Sequence, residues 1–111
     1  MPQNEEKALR MLGFAARARR ITAGVPLICA ALQKGGAQRP LLVLLAADAS
    51  ENTKKRITDR TAYYHVPLYP IHVDCEGLAL AVGKRDGAVA AVGISEPGIA
   101  EEITRILKSE A

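Results

Sequence analysis

The sequence predicts an α/β fold, a small three-layer αβα sandwich in which a mixed sheet of about four strands carries helices on both faces. Three observations predict it. Segments with apolar residues at three- and four-residue spacing alternate along the chain with short apolar runs. The loops between them are about two to six residues long, as in tightly wound α/β units. The run Leu41-Leu42-Val43-Leu44-Leu45-Ala46-Ala47 is continuously apolar between Pro40 and Asp48, the pattern of a central strand covered on both faces. At 111 residues the chain fits one domain, residues 1–111, which buries about two thirds of its unfolded surface and needs no cross-links.

Asn4 before Glu5, Glu6 and Lys7 reads as an N-cap, and Ala8, Met11, Leu12 and Ala15 then recur at helical spacing. This predicts a first helix that ends near Arg17 in the cluster Arg17-Ala18-Arg19-Arg20, whose positive side chains also suit the negative end of the helix dipole. Ile21-Thr22-Ala23 reads as a short strand. Gly24-Val25-Pro26 opens a second helix, with proline tolerated in the first turn, through Leu27, Ile28, Ala31 and Leu32 to Lys34, and Gly35-Gly36 stops it. After the strand at 41–47, Ser50-Glu51-Asn52-Thr53 starts a third helix over 51–64 with Lys54, Lys55, Arg56 and Arg60 on its exposed face, ended by Val66-Pro67. A strand at 68–73 follows, and Asp74 caps a short helix from Cys75 to Val82. Gly83-Lys84-Arg85-Asp86-Gly87 is a glycine-flanked turn with two positive charges, Ala88 to Ile94 is the next strand, and Glu96-Pro97 begins a last helix through Ile99, Ile103, Ile106 and Leu107.

Composition narrows the function. Hydrophobic residues make up 49% and charged residues 24%, the balance of a folded soluble protein and not of a disordered one. No apolar run approaches the roughly 20 residues that span a bilayer, and the N-terminus is polar and acidic where a signal peptide is basic and then apolar, so a cytoplasmic protein without a membrane partner is expected. Cys29 and Cys75 stand without CxxC or histidine-rich company and read as small buried hydrophobes; neither a metal site nor a disulfide is expected. One Phe, three Tyr and no Trp argue against a base-stacking platform. The net charge of +3 hides an asymmetry, because residues 1–60 carry 11 Lys and Arg against 5 Asp and Glu, and residues 61–111 carry 4 against 7. A polarised basic surface is the electrostatic footprint of a phosphate-backbone binder.

Catalysis finds little support. Asp48 at the carboxyl end of the buried strand, with Lys84 after a later helix, faintly suggests a phospho-accepting receiver, but Arg19, Arg20 and Thr22 stand where that site needs an acidic pair. A turn or capping role for Asp48 is expected instead. Ser50, His65, Cys29 and His72 occur in no nucleophile elbow, and the 83–87 turn lacks the spacing of a phosphate loop, so no nucleotide cofactor is implied. What remains is a set of basic loops and helix ends. The start of the second helix, the loop after the long strand and the 83–88 turn are expected to share one end of the sheet and to form a phosphate-facing rim.

From Ala8 to about Ala100 the chain resembles the L7Ae and L30e superfamily of ribosomal proteins, in its small bacterial branch. The residues that carry the resemblance are Leu12-Gly13-Phe14-Ala15-Ala16-Arg17-Ala18-Arg19-Arg20, Gly24, Leu45 to Lys55, Val66-Pro67 and Gly83-Lys84. It implies an αβα sandwich that binds kinked, internally looped RNA without catalysis. In that family an Asn-Glu pair and a lysine at the start of the second helix read the kink; here those positions are Pro26, Leu27 and Ala30, which offer no base-edge hydrogen bonds. Gly24 is kept. Ser50 and Lys54 match the loop and helix that flank an extruded nucleotide, and Gly83 to Val89 match the loop that closes over it.

The expectation is therefore a non-catalytic, ribosome- or translation-associated protein that binds structured RNA, not DNA. Arg19, Arg20, Lys54, Lys55, Lys84 and Arg85 are expected to neutralise phosphates, while Gly24, Val25, Pro26 and Leu27 pack on the RNA beside Ser50 and Gly83. The alternative is a protein-interaction or dimerisation module on the same fold, using the apolar surface of Pro26, Leu27 and Ile28.

Overall fold

The computed structural model describes residues 3–84 and 87–109. Over these residues the chain runs α1 (Gln3–Arg17), β1 (Ile21–Ala23), α2 (Val25–Lys34), β2 (Leu42–Leu45), α3 (Glu51–Tyr63), β3 (Leu68–Pro70), α4 (Cys75–Ala81), β4 (Ala91–Ile94) and α5 (Pro97–Lys108). The strands form one mixed sheet in the order β1-β4-β2-β3, with β4 antiparallel to both neighbours and β2 parallel to β3. Alternation along the strands sends Leu42, Leu44, Val92 and Ile94 to one face, where they are buried with Leu12 of α1, Leu78 of α4 and Ile103 of α5. Val43, Leu45 and Ala91 face the other way, onto Val25, Ile28 and Leu32 of α2 and Ile57 of α3. The expected αβα sandwich is the one observed, with α1, α4 and α5 over one face of the sheet and α2 and α3 over the other.

β1 spans the expected Ile21–Ala23, whereas β2, β3 and β4 are shorter than the stretches at 41–47, 68–73 and 88–94 that predict them. Outside β2, Leu41 N–H still donates to Ile94 O at 2.7 Å and Ala46 N–H to Ala90 O at 2.8 Å, but the chain is already turning into its loops and the ladder breaks into single bonds. Ser50 and Asp74 cap α3 and α4 as expected, accepting from Thr53 N–H at 3.2 Å and Gly77 N–H at 2.7 Å. Asn4 is no cap. It lies within α1, and its side-chain amide donates to Ile106 O at 3.3 Å and Ser109 Oγ at 3.0 Å, fastening the first turn of α1 to the end of α5. Cys29 is buried as expected, whereas Cys75 is only partly so.

Two helices end without glycine where glycine is the usual residue. Arg19 and His65 adopt φ of 59° and 58° just past the ends of α1 and α3. Both close the same motif: Arg20 N–H donates to Ala15 O and Arg19 N–H to Ala16 O, while Val66 N–H donates to Thr61 O and His65 N–H to Ala62 O. A left-handed residue with a Cβ costs about 1–2 kcal/mol, so Arg19→Gly is expected to stabilise the chain by ~0.5–1 kcal/mol after the loss of the helix-dipole contribution and the greater unfolded freedom of glycine. Chemical denaturation checks this, as a midpoint that rises with an unchanged slope.

Candidate nucleic-acid interface

β1 and β2 both run antiparallel to β4, which lies between them, so their carboxyl ends emerge together where β4 begins. Backbone bonds pin the loops there: Gly24 N–H donates to Ala91 O at 2.9 Å, Ala46 N–H to Ala90 O at 2.8 Å, Ala47 N–H to Val73 O at 2.8 Å, and Val89 N–H to Cys75 O at 3.0 Å. α2 and α3 start from this end on the same face of the sheet, so the positive ends of two helix dipoles point out of it side by side. Gly24 is the N-cap of α2 with φ 98° and ψ 142°, it supplies no side-chain cap, and a Cβ there would meet nothing within 4 Å. Pro26 has no N–H and Ile28 N–H is bonded to Gly24 O at 3.0 Å, so the first turn of α2 has the Val25 and Leu27 N–H groups for an approaching acceptor. Ser50 closes the neighbouring helix, and Lys54 stands one turn further on, 3.9 Å from Glu51.

The expected rim forms only in part. Gly24, Pro26, Leu27, Ser50, Lys54 and Lys55 gather at this end. Val25 does not reach a ligand, because its side chain is buried in the core beside Ile28. Arg19 and Arg20 lie at the opposite end of β1, a strand's length or roughly 10 Å away at about 3.3 Å per residue. Arg20 is engaged there by Ser95, donating from its guanidinium to Ser95 O at 3.0 Å and accepting at its own carbonyl from Ser95 N–H at 2.9 Å. The signal that separates these arginines from Gly24 was present in the sequence, since residues before a strand and residues after it lie at opposite ends of the sheet. Gly83 and Lys84 leave α4 beside the last turns of α1, where Gly83 shares a cleft with Gly13 and Arg17, and only the returning limb at 88–90 reaches the rim. Arg85 lies outside the described residues.

Asp48 is a member of the rim that capping rules alone did not place. It caps the start of α4 and not α3: its carboxylate accepts from Cys75 N–H at 2.7 Å, across 27 residues of chain, and so ties the β2–α3 loop to α4. The Cys75 thiol and then its N–H hold the Asp48 carboxyl below the ordinary value of 3.8, and Lys54 adds to this. Any stability from this contact is thus present above that ordinary value and is lost as pH falls through the lowered one. Burial first, and Asp48 second, push the Cys75 thiol up to about 11, so it stays a protonated donor to Asp48 and is a poor nucleophile. The remaining sequence candidates for chemistry are dispersed. Ser50 and His65 stand at opposite ends of α3, roughly 20 Å apart at about 1.5 Å per residue. His72 is held by Glu5, whose buried carboxylate accepts its backbone N–H at 2.8 Å and lies 2.5 Å from its Nδ1.

The profile of the ribosomal protein L7Ae/L30e/S12e/Gadd45 family matches residues 6–104, from the first turns of α1 into α5. The chain belongs to this family. Among curated L7Ae-family relatives, it is 31% identical over 105 residues to the RNA-binding protein YlxQ of Enterococcus faecium, covering 95% of each chain. It is 35% identical over 97 residues to YlxQ of Bacillus subtilis (strain 168), covering 87% of this chain and 91% of that one. Within the L7Ae family it is therefore YlxQ-like, as the resemblance in its own residues implies. Of solved structures, a protein with unknown function from Bacillus halodurans C superposes with a TM-score of 0.81 at 29% identity, over 92% of this chain and 97% of the other. A Giardia lamblia 15.5kD RNA binding protein superposes with a TM-score of 0.78 over 100% and 92% of the two chains; at 16% identity this likeness is one of fold. The rim of this L7Ae-family chain thus lies on a fold that recurs well beyond its close relatives.

Proposed function

We propose that this chain is a non-catalytic, cytoplasmic RNA-binding protein, associated with ribosomes or translation, that grips structured RNA at the end of the sheet where α2 and α3 begin. The observation that carries the reading is the pair of helix N-termini held side by side, one uncapped behind Gly24 and the other followed by Lys54 and Lys55, in a chain whose YlxQ relatives are RNA-binding proteins. Backbone N–H groups and positive dipole ends suit phosphate, and cations one turn along extend the grip. Pro26, Leu27 and Ala30 are exposed at the start of α2, where they offer shape and apolar contact without base-edge hydrogen bonds. Kink-turn readout is accordingly altered, and phosphate contacts carry most of the affinity.

Salt tests this. Four to six neutralised phosphates correspond to a log-log slope of roughly −3 to −5. With Arg19 and Arg20 at the far end of the sheet and Lys84 beside α1, the rim cations Lys54 and Lys55 account for a slope of only about −1.4 to −1.8 on a compact kink-turn hairpin. A titration of that hairpin and of ribosomal RNA between low and moderate salt is expected to fall in this range for the hairpin. A flat response sinks the phosphate-grip reading.

A second reading rests on Leu27, which is 61% exposed at the rim. Ile28 does not belong to the surface expected for a protein-interaction module, because it is fully buried against the sheet. The patch reduces to Pro26, Leu27 and Ala30, and solution mass of the wild type and of Leu27→Asp shows whether it joins two copies.

A further inference from the structure

α1 presents a second surface that the rim does not use. Lys7, Arg10, Phe14 and Arg17 are spaced by three, four and three residues, which at about 100° per residue puts them on an arc of roughly 80° along one side of the helix. All four are exposed, and the opposite side buries Ala8, Leu12 and Ala15 in the core. Phe14, the one phenylalanine of the chain, is 51% exposed, and the Arg17 guanidinium stands 5.6 Å from its ring centre. Beside it, Gly13, Ala16 and Arg17 on one wall and Leu80 to Gly83 on the other enclose a cleft of about 320 Å³, at whose edge the chain continues into the exposed Lys84.

The cations of this face are free to meet a ligand: among the described residues none of Lys7, Arg10 and Arg17 forms an ion pair, and Arg17 lies over the Phe14 ring. Of the two carboxylates on α1, Glu5 is buried against His72, and Glu6 is exposed one turn before Arg10 at the edge of the stripe but pairs with none of its cations. Three unpaired cations over about 15 Å of helix, with one aromatic face between them, complement an anionic strand that also carries flat apolar groups. A lipid surface fits less well, because a helix lying on a membrane needs a wide apolar face and that of α1 is already spent on the core.

We infer that the stripe Lys7–Arg10–Phe14–Arg17, continued by Lys84, is a second RNA-contact surface that takes a single-stranded segment flanking the structured element at the rim. The cations neutralise successive phosphates and Phe14 stacks one base. A lone ring is no stacking platform, but base-on-aromatic stacking needs only one exposed face per base. The inference rests on RNA being the ligand. Gly83 beside Arg17 and Val89, whose N–H donates to Cys75 O at the rim, put the two surfaces six residues apart along the chain.

The test compares a kink-turn hairpin, the same hairpin with a single-stranded extension of about ten nucleotides at either end, and that single strand alone, against the wild type, Phe14→Ala and Arg10→Ala/Arg17→Ala, with matched unfolding curves. One extension is expected to tighten wild-type binding about tenfold or more, a gain that Phe14→Ala abolishes and the double variant weakens with a salt slope shallower by about 1.4. The bare hairpin is expected to bind all three proteins alike. Hairpin binding with no gain from either extension, or a gain that survives in both variants, overturns the stripe and leaves the rim standing. If the hairpin does not bind, the proposed function fails and the single strand decides the stripe: binding lost in Phe14→Ala sustains it, while no binding, or binding to anionic vesicles only, overturns it.

Discussion

Lys54→Glu/Lys55→Glu is expected to lower affinity for structured RNA by about two orders of magnitude at ~0.1 M salt and to make the salt slope shallower by about 1.4 to 1.8. Each lost phosphate contact removes about 0.7 to 0.9 released counterions, which at ~0.1 M salt is close to 0.8 log units, so two contacts account for roughly 1.6. Reversing the charges adds repulsion to the loss and brings the total to about two decades. Neither lysine is buried, and the Lys54 partnership with Glu51 at 3.9 Å is a weak surface pair, so the fold is expected to stay intact. Arg20→Glu is the opposite control. Its guanidinium holds Ser95 O at the far end of β1, so that change is expected to lower the unfolding midpoint while hairpin affinity stays near wild type. Hairpin affinity that falls as far for Arg20→Glu as for the lysine pair places the RNA at the other end of the sheet.

Elements were legible in the sequence because their signals are local. Ser50 and Thr53, or Asp74 and Gly77, are three residues apart and complete a helix start by themselves. The apolar run at 41–47 announces a strand buried on both faces whatever its neighbours are. The candidate site was legible only in pieces, because its coherence depends on contacts far apart in the chain. Arg20 meets Ser95 across 75 residues, Asn4 meets Ser109 across 105, and Asp48 meets Cys75 across 27. Each of these side chains has a plausible local role at a cap, a turn or a basic cluster, and a distant partner overrides it. Phe14 shows the same limit. Its spacing from Lys7, Arg10 and Arg17 is visible in the sequence, but whether the ring is core or surface depends on which side of α1 the sheet occupies.

Ile28→Ala is expected to destabilise the chain by about 2–5 kcal/mol, toward the upper part of that range. Ile28 is fully buried on the inner face of α2 and sits over Gly93 of β4, where an added Cβ would stand 3.7 Å from its Cγ1 and 2.8 Å from Cγ of Pro40. Helix and proline ring thus rest on bare strand backbone. With no side chain at Gly93 to shift into the space and a stiff ring beside it, the void left by three missing carbons cannot collapse, and the cavity contribution adds in full to the lost burial. Against a total stability of about 5–15 kcal/mol this is a large fraction, and the unfolding midpoint is expected to fall by roughly 10–20 °C. Leu27, the preceding residue, points outward at 61% exposure, so Leu27→Ala is expected to leave the midpoint within a few degrees and to act only on what binds at the rim. α2 is the element by which the sheet presents its open helix terminus, so the two adjacent substitutions are expected to divide its work between them: Ile28 holds the helix in place, and Leu27 is the residue expected to meet the ligand. A midpoint that drops for Leu27→Ala and not for Ile28→Ala would mean that α2 is rotated on the sheet, and with it the backbone N–H groups on which the RNA reading depends.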